Sequence, residues 1–404
     1  MSRPATMASG MRRAVLALAG IAAGAGCAPA LDAAAPPGYL ARAPAAVPGR
    51  FGASAAGGWL LMVGRLEPQP EPLCSDPECR ARGLARAVRE LAGRGVEAAI
   101  VPQSDAALLR QPEVAAALRG SGLILLNGRS WSTDHGVDLT LVEPSTAASA
   151  PGAGSAPAVV EDWRARLERV RAAGGVAILH RPCQQRAAVA RLLAEPGAAE
   201  LLTAVEVEGT PIVDPACDRR QWHGWLRQGQ RWLGLARGSE LLGGSDARAF
   251  NLVAVDERTP EALLRALAAG RSQLVYQARH RPRIEIGLTT DGDGQLEALS
   301  GRQPVVVAGE SVVVQLRAVG GRGGELLLYT EVADGPIERL GVDSSDAIAS
   351  LWYPVPEGRV GFLRAELYRG GDVVAAANPI FFARAPAPDA LPQRDEVAPS
   401  APPG

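Results

Sequence analysis

From Trp59 to Ala269 short apolar runs alternate with amphipathic helical stretches, and from Arg283 onward the helices stop. This alternation constrains the fold most, because strand, helix, strand, helix is the order of a parallel α/β core. Strands are predicted over residues 59–63, 96–101, 122–127, 137–142, 176–179 and 204–207. Helices are predicted over 80–92, 160–173, 186–193 and 218–233. A last helix runs to about residue 269, where Thr259-Pro260-Glu261 offers an N-cap and a proline at the first helical position. The expected fold is an α/β barrel over residues 57–280. Trp222, Trp225 and Trp232 fall at helical spacing; stacking a sugar is one use for them, but packing against the barrel is the favoured reading for Trp225 and Trp232.

Beyond residue 281 short strands over 283–288, 304–308, 311–318, 325–332, 350–355, 360–367 and 379–382 are separated by Gly-Gly, Asp-Gly and Glu-Gly turns. They predict an antiparallel β-sandwich over 281–383. Gly320-Gly321-Arg322-Gly323-Gly324 reads as a hairpin turn, since no Lys-Ser/Thr follows it as in a phosphate loop. Residues 384–404, rich in Pro and Ala, are expected to be disordered.

The N-terminus points to export. Met11-Arg12-Arg13 precedes an apolar run, residues 14–25, that is too short for a stable membrane span. Gly24-Ala25-Gly26-Cys27 is similar to a bacterial lipobox, with Gly24 where Leu is usual. Residues 1–27 therefore read as a signal or lipoprotein peptide, with lipidation of Cys27 as a membrane tether; ordinary cleavage after Ala28-Pro29-Ala30 is the alternative. Residues 28–56 read as a flexible spacer, and the expected location is periplasmic or cell-surface. Export permits disulfides. Of three connectivities for Cys74, Cys79, Cys183 and Cys217, pairing 74 with 79 and 183 with 217 is preferred, and the spacing matches no zinc pattern. A net charge of −1 argues against a nucleic-acid partner.

Three stretches together resemble a known family. They are residues 171–179, which precede His180-Arg181-Pro182; Ala204-Val205-Glu206-Val207; and Leu241-Leu242-Gly243-Gly244-Ser245-Asp246-Ala247 with the helix at 262–271. In that order they resemble the PHP superfamily of metal-dependent phosphoesterases, in particular the CehA/McbA-type metallohydrolases. Arg364-Ala365-Glu366-Leu367 and Asn378-Pro379-Ile380 are similar to the end of that family's β-domain. The resemblance spans about residues 57–383 and implies a distorted (β/α)7-like barrel followed by the sandwich. It also implies a cluster of His, Asp and Glu at the barrel mouth holding two or three divalent metals that activate water.

The residues at those positions depart from the pattern. Trp59–Arg65 contains no His where the family opens with His-x-His. Pro102-Gln103-Ser104-Asp105 stands where Thr-Asp-His-Asn is found, and Ser130 replaces a Glu. Gly136-Val137 aligns with a Gly-His pair, and Arg181 and Arg248 fill two further His positions. Asp246 alone stays in register. His135, His180 and Asp246 are the candidates for a rearranged ligand set holding Mn, Zn or Fe; a strand position one off the ligand slot turns His180 to the other face, unless its place at the strand end lets it reach the mouth. A hydrogen-bonded loop or core role is favoured for both histidines, and no cofactor is the favoured expectation. Arg129, Arg181 and Arg248 would place guanidinium charge where metal charge sat, making an anion pocket; pairing with Asp105, Glu206 or Asp246 is the competing use. The leading reading is a degenerate, non-catalytic relative with a binding or scaffold role, its partner an anionic small molecule or an envelope protein. An active metal-dependent phosphoesterase is the alternative, and a partner site on the sandwich is a third.

Overall fold

The computed structural model describes residues 40–42, 58–66, 76–102, 106–144, 162–208, 215–238, 249–276, 279–289, 298–299 and 301–385. Cys27, Cys74, Asp246, Arg248, the signal peptide, most of the 28–56 segment and residues 386–404 lie outside them.

After β1 (Ala41–Arg42) come β2 (Gly58–Val63), α1 (Pro77–Gly93), β3 (Ala98–Pro102), α2 (Ala106–Leu109), α3 (Pro112–Ser121), β4 (Ile124–Ser132) and β5 (Asp138–Val142). Then follow α4 (Trp163–Ala172), β6 (Val176–Leu179), α5 (Arg186–Ala194), α6 (Ala198–Leu201), β7 (Ala204–Glu208) and α7 (Pro215–Arg227). β8 (Leu233–Ala236), β9 (Phe250–Val255), α8 (Pro260–Ala269) and β10 (Ser272–Val275) complete the barrel. The remaining strands are β11 (Arg283–Thr289), β12 (Ala298–Leu299), β13 (Gly301–Val307), β14 (Ser311–Val319) and β15 (Gly324–Thr330). They continue as β16 (Glu338–Val342), β17 (Asp346–Pro354), β18 (Gly361–Arg369), β19 (Asp372–Ala377) and β20 (Ile380–Arg384).

The barrel strands run in the order β10-β9-β2-β3-β4-β5-β6-β7-β8, with β5 and β9 opposed to the rest. Alternate residues such as Leu60, Met62, Ile100, Ile178 and Leu235 fill the interior. Thr259 caps α8 by accepting from the Ala262 N–H, and Leu263, Leu264 and Leu267 of that helix join the same core. α8 thereby closes the end where β6 begins, and the polar strand ends gather at the opposite mouth.

The seam between β8 and β9–β10 is closed by side chains. The Ala236 N–H donates to Asn251 Oδ1 and Asn251 Nδ2 donates to the Ala236 carbonyl, each at 2.8 Å. The Gly234 N–H donates to Asn378 Oδ1 at 2.7 Å, and Asn378 Nδ2 donates to the Ser272 carbonyl at 2.7 Å. A carboxamide carries the donor and acceptor of a peptide group, so the two asparagines stand in for a strand ladder. β2 and β8 converge beside this seam. A Cβ on Gly64 would lie 2.2 Å from the Ala236 carbonyl oxygen, so only glycine fits there.

The second region is a sandwich. One sheet is β1-β17-β14-β11-β12, and the other contains β13-β20-β18-β19 with β15 and β16 attached through β18. Ile286, Leu316 and Tyr353 of the first sheet share one core with Leu328, Leu363 and Phe382 of the second. All pairs in it are antiparallel except β13 with β20. β19 also pairs with β10, so one sheet runs from the barrel into the sandwich.

Several expectations change. Residues 40–42 belong to the expected spacer, yet Leu40 is buried and β1 pairs with β17. The helix expected over 218–233 spans Pro215–Arg227 and stops before Gly229, which takes a φ of +87°. Trp232 therefore leaves the helix and precedes β8. The Gly320–Gly324 run joins two different sheets rather than forming a hairpin. Arg384, placed in the expected tail, ends β20 and pairs with Glu310. Among the described residues no helix is long and apolar enough to cross a membrane.

Candidate functional site

The polar residues at the mouth sit where alternation along the strands places them. On β6, Val176 and Ile178 face inward, and His180 continues that face. Of the two placements open to His180 at this strand end, it takes the one that reaches the mouth, and Arg181 is the one displaced. Thr140 of β5 lies opposite Ile178 and shares its face. Glu206 comes from β7.

Together they form a closed chain. His180 Nδ1 lies 2.6 Å from Glu206 Oε1, and Nε2 lies 2.6 Å from Thr140 Oγ1. The two ionisable side chains are 1% and 2% exposed. The ionised Glu206 carboxylate can only accept, so Nδ1 carries a proton and the Thr140 hydroxyl serves Nε2. The Arg181 N–H donates to the other carboxylate oxygen, Oε2, at 3.2 Å. Burial pushes the Glu206 carboxyl up, but His180 and the charges of Arg237 and Arg65 outweigh it and hold the group below its ordinary value. Arg237 follows β8 directly and Arg65 lies two residues beyond β2, and the Arg65 N–H donates to the Arg237 carbonyl at 2.8 Å.

The other expected residues disperse. Arg181 adopts a φ of +39° and is 33% exposed, its guanidinium 3.5 Å from Asp138. Arg129 pairs with Leu141, which pairs with Ala177, so it lies on the outer face of the wall, well below the level of Arg181. The described residues therefore do not assemble an Arg129–Arg181 pocket, and Arg248 is outside them. His135 sits in the β4–β5 turn with its ring 5.9 Å from Trp163, away from His180, and Asp246 is outside the described residues. Cys183 is joined to Cys217. Cys79 is also disulfide-bonded, and Cys74 lies outside the described residues. Trp222, Trp225 and Trp232 are buried: Trp222 Nε1 donates to the Trp232 carbonyl, and Trp225 meets Trp232 edge-on at 5.0 Å.

The metal that the sequence resemblance implies does not fit these residues. A ligand histidine needs a free ring nitrogen, whereas Nε2 of His180 is hydrogen-bonded to Thr140 and Nδ1 lies against the Glu206 carboxylate. Gly64 leaves no room for a ligand side chain, and Arg65 and Arg237 bring positive charge towards Glu206, where a dication would sit. Among the described residues no group of three or more His, Cys, Asp or Glu is arranged to hold a metal.

A second polar cluster lies at the junction with the sandwich. A β-bulge between Glu206 and Glu208 re-aims Glu208 towards α7. Tyr276 Oη donates to Glu208 Oε1 at 2.5 Å, and Arg219 Nε is 3.2 Å from the same oxygen. Burial raises the Glu208 carboxyl, Arg219 and Tyr276 offset this only in part, and Glu366 and Asp218 add to the rise, leaving it at about 7. Beyond it, Arg364 pairs with Glu366 at 2.6 Å and lies 4.0 Å over the Tyr329 ring. α7 also reaches the sandwich through His223 on the Ala333 carbonyl and through Arg227 on Asp334.

Sequence reasoning did not single out Thr140, Arg65 or Arg237. For the arginines a signal existed: each stands within two residues of the end of an apolar run.

No protein-family profile matches the chain. No curated protein matches it either. In fold it is similar to a two-domain protein from Bacteroides vulgatus ATCC 8482 described as containing a predicted PHP-like metal-dependent phosphoesterase; identity is 10% and the TM-score 0.41, over 84% of this chain and 100% of that one. It is also similar to PsfC from Pseudomonas syringae PB-5123, with 10% identity and a TM-score of 0.36 over 55% of this chain and 93% of that one. At these TM-scores neither likeness carries an argument about chemistry, which rests on the geometry above.

Proposed function

We propose that this chain is a non-catalytic, degenerate relative of the PHP-type metallohydrolases with a binding or scaffold role in the cell envelope, exported and tethered through Cys27. The supporting observation is the saturation of Thr140–His180–Glu206. Each side chain that a hydrolase would turn towards metal or water is spent on its neighbour in a buried chain. Half-exposed Arg181, with Arg65 and Arg237 beneath it, makes an anion the small-molecule class that suits the mouth; an envelope protein is the macromolecular partner class.

The test is elemental analysis of the full chain carrying Cys27→Ser, purified without chelator and offered manganese, zinc and iron, followed by phosphomonoester and phosphodiester assays. Metal far below one per chain and no turnover are expected. Near-stoichiometric metal with turnover that His180→Ala abolishes would replace this reading with that of an active phosphoesterase. Tethering is checked by intact mass of membrane-extracted protein, where Cys27→Ser should remove a lipid-sized increment.

A further inference from the structure

The disulfide between Cys183 and Cys217 ties the mouth to α7. Residues 180–185 form the segment after β6 that carries His180 and Arg181. Gln185 fastens its lower end, accepting from the Asp138 N–H at 2.8 Å and donating to the His180 carbonyl at 2.9 Å. The link to α7 is different: it includes the disulfide and a 3.0 Å hydrogen bond from the Cys183 N–H to Asp218 Oδ1.

The two sulfurs are not equivalent. Cys183 is half-buried, whereas Cys217 is 6% exposed. Arg186 Nη2 lies 2.9 Å from Cys217 Sγ and 3.8 Å from Cys183 Sγ. Cys217 is also the third residue of the 13-residue α7, within the first turn, where the helix dipole favours negative charge. A guanidinium and a helix N-terminus both stabilise a thiolate, and Asp218 is the nearby charge that opposes them. A sulfur that is stable as thiolate is the better leaving group.

We propose that Cys183–Cys217 is a thiol-exchange site rather than a permanent staple, opened by attack of a thiol on Cys183, and that its state governs how firmly the mouth segment is held. An incoming thiolate forms a bond to Cys183 Sγ. The Cys183–Cys217 bond breaks, and its electron pair departs on Cys217 Sγ as a thiolate facing Arg186. A second thiol attacks the mixed disulfide, frees the Cys183 thiolate and leaves as the oxidised disulfide. Two thiols thus supply two electrons and release their protons to solvent. The site is independent of whether the barrel binds metal or an anion.

The test uses the folded full chain with Cys27→Ser, treated with glutathione, quenched in acid and mapped by mass spectrometry. The adduct is expected on Cys183, with Cys217 free. Arg186→Ala should slow the first cleavage by about threefold or more, Arg186→Lys should restore most of the rate, and Asp218→Asn should raise it. The disulfide of Cys79 is the internal reference and should react at one rate in all four proteins. An adduct on Cys217, or equal rates in the Arg186 and Asp218 variants, overturns the proposal. Amide exchange at Arg181 and Cys183 should rise on reduction; unchanged exchange overturns the control of the mouth segment.

Discussion

Glu206 and Glu208 stand two residues apart on one strand, the first buried and the second 12% exposed, and the protein moves their carboxyls in opposite directions. Glu206 is held below its ordinary value and Glu208 is pushed up to about 7. Burial acts upward on both, so burial alone does not decide the outcome. The difference lies in partners. Glu206 faces His180 with Arg237 and Arg65 behind it. Glu208 has one cation, Arg219, whose charge also acts on Glu366, and two further carboxylates stand against it. The bulge between them sends one carboxylate into the barrel mouth and the other into the joint with the sandwich. Charge at the mouth is thus fixed, while charge at the joint lies near the point of changing.

The sharpest way to break this contrast is to delete each carboxylate. Glu206→Ala leaves His180, Arg65 and Arg237 facing an empty place, and a loss of about 3–5 kcal/mol in urea unfolding is expected. Glu208→Gln at pH 6 should change stability by less than about 1 kcal/mol, because the wild-type group already holds its proton there. Similar losses from both would mean that partners do not distinguish the sites.

Asn251→Ala comes next. It strips both the N–H and the carbonyl of Ala236 of their partner, and calorimetry or denaturant unfolding should show a cost of about 2–4 kcal/mol. A smaller loss would mean that water or a neighbouring strand takes over the seam.

The pH dependence is subtler. The native pKa of Glu208 lies above its unfolded value of 4.5, so its contribution is complete below pH 4.5 and is lost as pH rises towards about 7. The slope cannot exceed about 1.4 kcal/mol per pH unit. Glu206 acts with the opposite sign: its contribution is present above 4.5 and lost as pH falls through its lower native value. His223, held at about 3, adds a rise up to pH 6.5 in both proteins, so in unfolding curves between pH 4 and 8 the stability of wild type should fall relative to that of Glu208→Gln. An unchanged slope in that variant would assign the titration elsewhere.

The smallest effect is expected at Arg181. Its ion pair with Asp138 is half-exposed and 3.5 Å long, so Arg181→Ala should cost under about 1 kcal/mol. Arg181→Gly should be neutral or stabilising by up to about 1 kcal/mol, since a φ of +39° suits glycine. Thermal melts of the two variants would separate the terms.

Elements with a strong local signature were legible in the sequence. Val176–Leu179 reads as a strand at its full length, and Thr259-Pro260 fixes the start of α8 through a cap that needs no tertiary contact. Only the first residue of β8 falls in the helix expected over 218–233 and the other three carry no assignment, because Leu-Gly-Leu-Ala is too short to show a period. β9, β16 and β19 went unassigned. They are stable through pairing with distant strands, as β19 is with β10, and local pattern does not record that. At the site, the departures from the metallohydrolase pattern were visible residue by residue. The closure of His180 onto Thr140 and Glu206 was not, because it depends on which face of β6 the strand presents, and Arg181 at its end breaks the alternation.

The asparagine seam sets where this barrel breathes. A backbone ladder resists separation at every rung, but among the described residues the bonds from β8 and its end to the far side are two carboxamides and one backbone bond, Arg65 N–H to the Arg237 carbonyl. The fluctuation that costs least should therefore be a lifting of β8 as a unit, hinged on β7. Such a motion would widen the mouth from the side, without disturbing α8 at the sealed end, so a ligand larger than the resting opening has a built-in way in.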